Sequence, residues 1–257
     1  MVIRTLDLFS KKIKNKNMTN PKKETPSSFF KTLVVALLCA GFVRSLFFEP
    51  FHIPSSSMKP NLLIGDYIFV AKYSYGYSRY SFPFGINFFD GRIFKSTPKR
   101  GDVVVFRLPS EPNINYVKRL IGLPGDQIQM REGTLYINDQ EVKKVFNENF
   151  TDDNGEKIKQ FLETLPEGKI VQTLDEKTNS QQDSTGIYEV PQGSYFMMGD
   201  NRDNSQDSRF LSQVGYVPEE NLVGRATLIF FSNAKPTWQI WNWPSSIRFG
   251  RMFKKIN

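Results

Sequence analysis

The residues best suited to chemistry lie in three short segments. Phe51-His-Ile-Pro-Ser-Ser-Ser-Met-Lys-Pro60 holds three consecutive serines between Pro54 and Pro60. Proline disfavours helix in the residue before it, so the serines occupy a stiff, non-helical turn. Such a turn suits a nucleophile, whose own backbone N–H can then face a developing oxyanion. A plain polar loop would look the same. A serine nucleophile needs a base. His52 is the only histidine, with no fixed carboxylate beside it, and a surface or interfacial role is the competing reading for it. A lysine can serve if burial lowers its pKa from ~10.4 toward ~7–8. In Asn115-Tyr-Val-Lys-Arg-Leu-Ile121, strand alternation puts Tyr116, Lys118 and Leu120 on one face. Lys118 is thus flanked by apolar neighbours, although a lysine snorkelling at a sheet edge gives the same pattern. The third segment is Met197-Met-Gly-Asp-Asn-Arg-Asp-Asn-Ser-Gln-Asp-Ser-Arg209. A calcium loop started at Asp203 fails, because Ser208 stands where glycine is needed and Val214 where the bidentate glutamate belongs. A solvated loop with internal ion pairs remains open.

The composition removes other chemistries. Cys39 is the only cysteine, so neither an intrachain disulfide nor a thiolate metal cluster can form, and a single histidine excludes a multi-histidine metal site. The net charge of +8 sits largely in residues 1–28, where seven Lys/Arg face Asp7 and Glu24. That is a basic tail rather than a nucleic-acid face. Ser56-Ser-Met-Lys59 satisfies the S-x-x-K pattern of penicillin-binding enzymes, but so do three other stretches, and neither Ser-x-Asn nor Lys-Thr-Gly occurs.

The elements that must position these residues are short strands. Tyr67–Ala71, Asp102–Arg107, Tyr116–Ile121 and Ala226–Phe231 are rich in β-branched and aromatic residues. Gly65-Asp66, Gly101-Asp102 and Gly125-Asp126 mark turns beside them. Gly133–Val142 reads as a hairpin turning at Asn138-Asp139. No long amphipathic helix is expected after residue 52. Two stretches look inserted. Residues 73–97 open with eight aromatics by residue 89, fitting either core or an apolar lip on a bilayer. Residues 143–187 are polar and read as a peripheral subdomain or mobile loop without chemistry of its own, with a short helix at Lys157–Leu165.

Ahead of all this, residues 29–48 contain only Lys31 and Arg44 as charges. Twenty helical residues span roughly 30 Å, enough for a bilayer core if both snorkel, and Pro50 should stop the helix. A cleavable export signal is the competitor, but no small-x-small site follows the apolar run. The expected division is a cytoplasmic basic tail at 1–28, a transmembrane anchor at 29–48 and an exported domain at 49–257.

Taken together, the segments resemble the bacterial type I signal peptidases, or leader peptidases. The resemblance rests on Pro-Ser-x-Ser-Met-x-Pro-x-Leu at 54–62, Gly-Asp-x-Val-Val-Phe at 101–106, Tyr-Val-Lys-Arg-x-x-Gly-x-Pro-Gly-Asp at 116–126 and Gly-Asp-Asn-Arg-Asp-Asn-Ser-x-Asp-Ser-Arg at 199–209, in that order. It implies a mainly β fold, a β-rich catalytic domain of coiled antiparallel sheets with one N-terminal transmembrane helix. It also implies a membrane-bound serine endopeptidase that cleaves exported precursors after small-x-small sequences. By the same resemblance Ser57 is the nucleophile, Lys118 the general base, Ser55 an oxyanion donor and Ser205 the group orienting the lysine. Arg119, Asp200, Asp207 and Arg209 would form supporting ion pairs, and Phe51, Ile53, Met58, Leu62, Tyr116 and Val117 the substrate pockets. No metal and no cofactor are needed. The expected partners are precursor signal peptides and the lipid bilayer, not nucleic acid. The protein is expected as a monomer in the bacterial inner membrane, its N-terminus cytoplasmic. The best-known members cross the membrane twice, whereas one crossing is found here. A membrane-tethered β-domain that binds exported peptides without cleaving them, or another Ser-Lys hydrolase, is the alternative.

Overall fold

Pro26–Leu46 forms a helix, α1, of 21 residues that is long and apolar enough to cross a membrane. The computed structural model describes residues 26–82, 91–152, 154–177 and 180–257. Residues 1–25 of the basic tail, and Phe84, Phe88 and Phe89 of the aromatic-rich insertion, lie outside them. Apolar side chains are exposed all round α1, from Phe29 and Phe30 to Phe42 and Val43, as suits a helix solvated by lipid. It ends at Leu46 rather than at Pro50, because Phe48–His52 already pairs as a strand. Pro50 is tolerated there because that strand is at the sheet edge, bonded to a neighbour on one side only.

Among the described residues fifteen strands follow. The first seven are β1 (Phe48–His52), β2 (Asp66–Ala71), β3 (Val103–Arg107), β4 (Asn115–Gly122), β5 (Gln127–Arg131), β6 (Thr134–Ile137) and β7 (Gln140–Glu141). Then come β8 (Lys143–Thr151), β9 (Lys157–Thr164), β10 (Ile170–Asp175), β11 (Tyr188–Glu189), β12 (Ser194–Met198), β13 (Val217–Pro218), β14 (Leu222–Ser232) and β15 (Lys254–Lys255). The main antiparallel sheet has the order β1-β2-β14-β3-β4-β12-β13, with β15 added to β14. The other sheets among the described residues are a four-stranded one, β11-β5-β6-β7, and a three-stranded one, β10-β9-β8. Register shifts along β14, at Leu222/Gly224, Ala226/Leu228 and Ile229/Phe231, bend and twist the sheet at its centre. All four strands expected from composition are present, and Asn138 and Asp139 turn the β6–β7 hairpin in the left-handed region.

One expectation is overturned. Lys157–Leu165 is not a helix; Lys157–Thr164 is the middle strand of its sheet. Lys, Gln, Leu and Glu favour helix weakly, and pairing on both sides outweighs that preference. The aromatic insertion is partly core: Tyr75 is buried and its hydroxyl donates to Asp102 Oδ2 at 3.0 Å.

The Gly-Asp dipeptides share one geometry. Gly65, Gly101 and Gly125 have φ of 87°, 84° and 91°. In each turn the following aspartate N–H donates to the carbonyl three residues back, and its carboxylate accepts that residue's N–H. Gly at the third turn position is what a type II turn requires. The first of these turns closes the serine segment, and the C-terminal region locks it. Arg251 Nη2 donates to Asp66 Oδ2 at 2.6 Å and to Asn61 O at 2.9 Å, and Ser232 Oγ donates to Asp66 Oδ1 at 2.6 Å. A Cβ on Gly65 would lie 1.9 Å from the Asn233 carbonyl oxygen. Gly65→Ala is therefore expected to lower unfolding stability by more than the ~1–2 kcal/mol of a left-handed non-glycine residue alone. Denaturant unfolding of the purified protein measures it.

Candidate active site

Between β1 and β2 the chain folds as a tight loop pinned by its apolar residues. Ile53, Met58 and Leu62 are buried in the core formed with Ile68, Val70, Val103 and Val105. Backbone bonds from Lys59 N to Ser56 O and from Leu62 N to Met58 O close the loop. Ser57 is held where only 7% of it is exposed. Strand β4 brings Lys118 to it, paired through its backbone with Val104 of β3. Lys118 Nζ donates to Ser57 Oγ at 2.6 Å and lies 5.2 Å from the Tyr116 ring centre. Ser55 Oγ is 3.3 Å from Ser57 Oγ.

Lys118 is 4% exposed. Burial lowers its pKa from 10.5 to about 8, with Arg209 acting in the same direction, against the opposing pull of Asp207 and Asp200. Neither carboxylate is available to it as a direct partner, because each is gripped by an arginine. Arg119 Nε and Nη2 donate to the two oxygens of Asp200 at 2.7 and 2.8 Å, while Nη1 donates to Gly101 O. Arg209 Nε and Nη2 hold Asp207 at 2.8 and 2.9 Å. Burial pushes the Asp207 carboxyl up, but Arg209 together with the Gly199 N–H holds it below the usual carboxylate range. Removing one partner of such a buried pair costs about 3–5 kcal/mol.

The loop after β12 carries both carboxylates and docks on the serine segment. Asn201 N donates to Ser57 O at 3.1 Å, and Asn204 Nδ2 to Ser56 Oγ at 3.0 Å. Gly199 is essential to that approach. A Cβ there would stand 2.1 Å from Ser205 Oγ and 2.6 Å from Ser57 O. Ser205 is buried, and its hydroxyl makes no hydrogen bond of normal geometry, so it is not bonded to Lys118; it lies close enough to Asp207 to help keep that carboxylate ionised.

A cleft of about 380 Å³ opens beside the hydroxyl and amine. Five of the expected pocket residues, Phe51, Ile53, Met58, Tyr116 and Val117, line it. Leu62 does not; it is wholly buried in the core beneath. His52, Ile114, Asn204 and Gln206 also line the cleft. Asn204 and Gln206 belong to the polar segment singled out in the sequence, so that signal was present; Ile114 carried none. Gln206 Oε1 accepts from the Tyr116 hydroxyl at 3.1 Å. Among the described residues no group of His, Cys, Asp and Glu has the arrangement of a metal site.

A serine hydroxyl against a buried amine in a β-built cleft has the construction of a serine hydrolase. Residues 27–231 match the model of the family described as "Signal peptidase, peptidase S26". A signal peptidase I of Rickettsia bellii (strain OSU 85-389) is 40% identical, over 97% of this chain and 93% of that protein. The signal peptidase I of Rickettsia typhi is 40% identical over 94% of this chain and 98% of its own length, and that of Rickettsia akari 41% over 94% and 95%. A crystal structure of a signal peptidase I from Enterococcus faecalis V583 is 28% identical, covering 51% of this chain and 97% of that one with a TM-score of 0.31. The chain belongs to the signal peptidase, peptidase S26, family.

Gly199→Ala should leave the strands intact yet displace the loop against Ser57. Peptidase kcat is expected to fall about 100-fold, as misplacements near 1 Å do, with little change in far-ultraviolet circular dichroism.

Proposed function

We propose that Ser57 and Lys118 form the catalytic dyad by which this chain, a serine endopeptidase of the signal peptidase I kind, removes signal peptides from exported precursors. The observation that carries this reading is the 2.6 Å contact between Ser57 Oγ and an amine whose pKa is brought down to about 8. In its neutral form Lys118 accepts the hydroxyl proton as Ser57 Oγ attacks the scissile carbonyl. The Ser57 N–H and the Ser55 hydroxyl receive the oxyanion. Lys118 then passes the proton to the leaving amine, and an acyl-enzyme remains on Ser57. Water gives a proton to Lys118 as it attacks that ester, and Lys118 returns the proton to the departing Ser57 oxygen, which frees the acid and restores the serine. Arg119, Asp200, Asp207 and Arg209 keep the loop and strand in place, with Ser205 supporting Asp207 rather than gripping the lysine directly.

The cleft walled by Phe51, Ile53, Met58, Tyr116 and Val117 is mostly apolar, which suits the small residues of a small-x-small sequence. We further propose that the protein acts as a monomer in the bacterial plasma membrane. The tail at 1–28 stays cytoplasmic, α1 serves as the single anchor, and 49–257 faces the exported side. The lysines and arginines ahead of α1 favour that orientation. Enzyme and precursor then share one membrane, and their encounter becomes a two-dimensional search.

Ser57→Ala and Lys118→Ala should each reduce cleavage of a precursor by roughly 10⁴-fold or more. Retained cleavage by Lys118→Ala would overturn the base assignment. In the wild type, kcat should rise with pH and level off above about 8, where the amine is neutral, and fall about tenfold per unit below it. The stability linkage has a matching sign. The unfolded chain keeps the proton to higher pH, so stability contributed by this group rises between about pH 8 and 10.5 and is lowest below pH 8. Lys118→Met should abolish that rise in a pH series of unfolding curves.

A further inference from the structure

The three-stranded sheet β8–β10 lies in the inserted stretch, yet it is bonded directly to the loop that supports the dyad. Leu174 N donates to Asp200 O at 2.8 Å and Arg202 N to Leu174 O at 2.9 Å, making a parallel bridge between β10 and the loop. Asn61 Nδ2, from the serine segment, donates at 2.8 Å to both Gln172 O and Asp200 Oδ2. Beneath this seam Arg202 Nη1 and Nη2 donate to Glu163 Oε1 and Oε2 at 2.7 and 2.6 Å. Glu163 is 0% exposed, and Thr173 Oγ1 adds a 3.3 Å contact to its Oε1. Of the buried carboxylates around the loop, Glu163 is the one contributed by the inserted sheet rather than by the loop itself.

Arg202 sits at a junction. Its side chain goes to Glu163, its N–H to β10, and its carbonyl accepts Arg209 Nη2 at 2.5 Å. Arg209 holds Asp207, and the neighbouring Asn201 N–H holds the Ser57 carbonyl. A shift of Arg202 therefore moves both the groups that fix Ser57 and the charges that set the Lys118 amine. A bidentate guanidinium–carboxylate pair fixes position and angle together, which one backbone bridge does not.

We propose that Glu163 is a positioning residue for the peptidase reaction: through Arg202 it locks the Gly199–Asp203 loop and so sets the geometry of Ser57 and Lys118. The β8–β10 sheet is then a working part of the site rather than a bystander. The inference rests on the dyad reading above, and Ser57→Ala run in the same assay separates the two: cleavage by Ser57→Ala sinks the dyad, whereas the comparison below concerns Glu163 alone.

The test compares full-length wild type, Glu163→Gln and Glu163→Gln/Arg202→Met in detergent, with a precursor as substrate. Glu163→Gln leaves Arg202 buried and unpaired, so both unfolding temperature and kcat should fall. The double variant removes both charges, an exchange that buried pairs often tolerate, so its unfolding temperature should recover. The expected result is that its kcat stays lower by about tenfold or more with KM within about twofold of wild type, and that the acidic limb of the pH–rate profile moves. Recovery of kcat and of the limb together with stability would show that Glu163 only holds the fold and would overturn the proposal. If neither variant folds, Glu163→Asp and Arg202→Lys keep both charges but displace them. A lowered kcat at unchanged KM supports the proposal there, and wild-type kcat in both refutes it.

Discussion

The site depends on a lysine amine kept in a dry place without an anion of its own. Burying an ammonium costs several kcal/mol, so the neutral form gains ground. Carboxylates close to it would reverse the effect if they were free to turn toward the amine. Asp200 and Asp207 are near enough to raise the Lys118 pKa, yet Arg119 and Arg209 engage both oxygens of each. The arginines thus do more than hold the backbone. They keep the negative charge committed, which leaves the amine free for the role of base proposed for it.

That arrangement draws on parts of the chain that are far apart. Lys118 and Ser57 are separated by 61 residues, Arg119 and Asp200 by 81, and Arg251 and Asp66 by 185. Contacts of such separation form only after long loops have closed. No single short segment brings Ser57 and Lys118 together. The bends in β14 belong to the same logic, since that strand lies between β2, which follows the serine loop, and β3, which carries β4 and its lysine.

Much of this was legible in the residues. The β-branched runs announced β2, β3, β4 and β14, and the Gly-Asp dipeptides announced turns whose positive φ only glycine adopts freely. Lys118 stood out because strand alternation placed it among apolar side chains. Other features were hidden because they arise only from tertiary pairing. Lys157–Thr164 has a helix-leaning composition but is a strand, since two neighbours claim its backbone. Leu62 was expected in a substrate pocket by the family resemblance, whereas the loop folds it into the core. Ser205 was expected on the lysine, but the close packing of Gly199 leaves its hydroxyl beside Asp207. Nothing local marked Glu163, because an isolated glutamate in a polar stretch reads as solvated until its arginine is known.

The pairing of charges around the cleft reaches beyond the dyad. Above about pH 8, where the Lys118 amine is neutral and each nearby carboxylate is paired with its own guanidinium, an incoming ionic side chain would find no counter-charge among Phe51, Ile53, Met58, Tyr116 and Val117, and would surrender its hydration for nothing in return. If substrate lies in this cleft as proposed, discrimination against charged residues at the scissile position becomes a solvation effect, exerted by what the walls decline to offer.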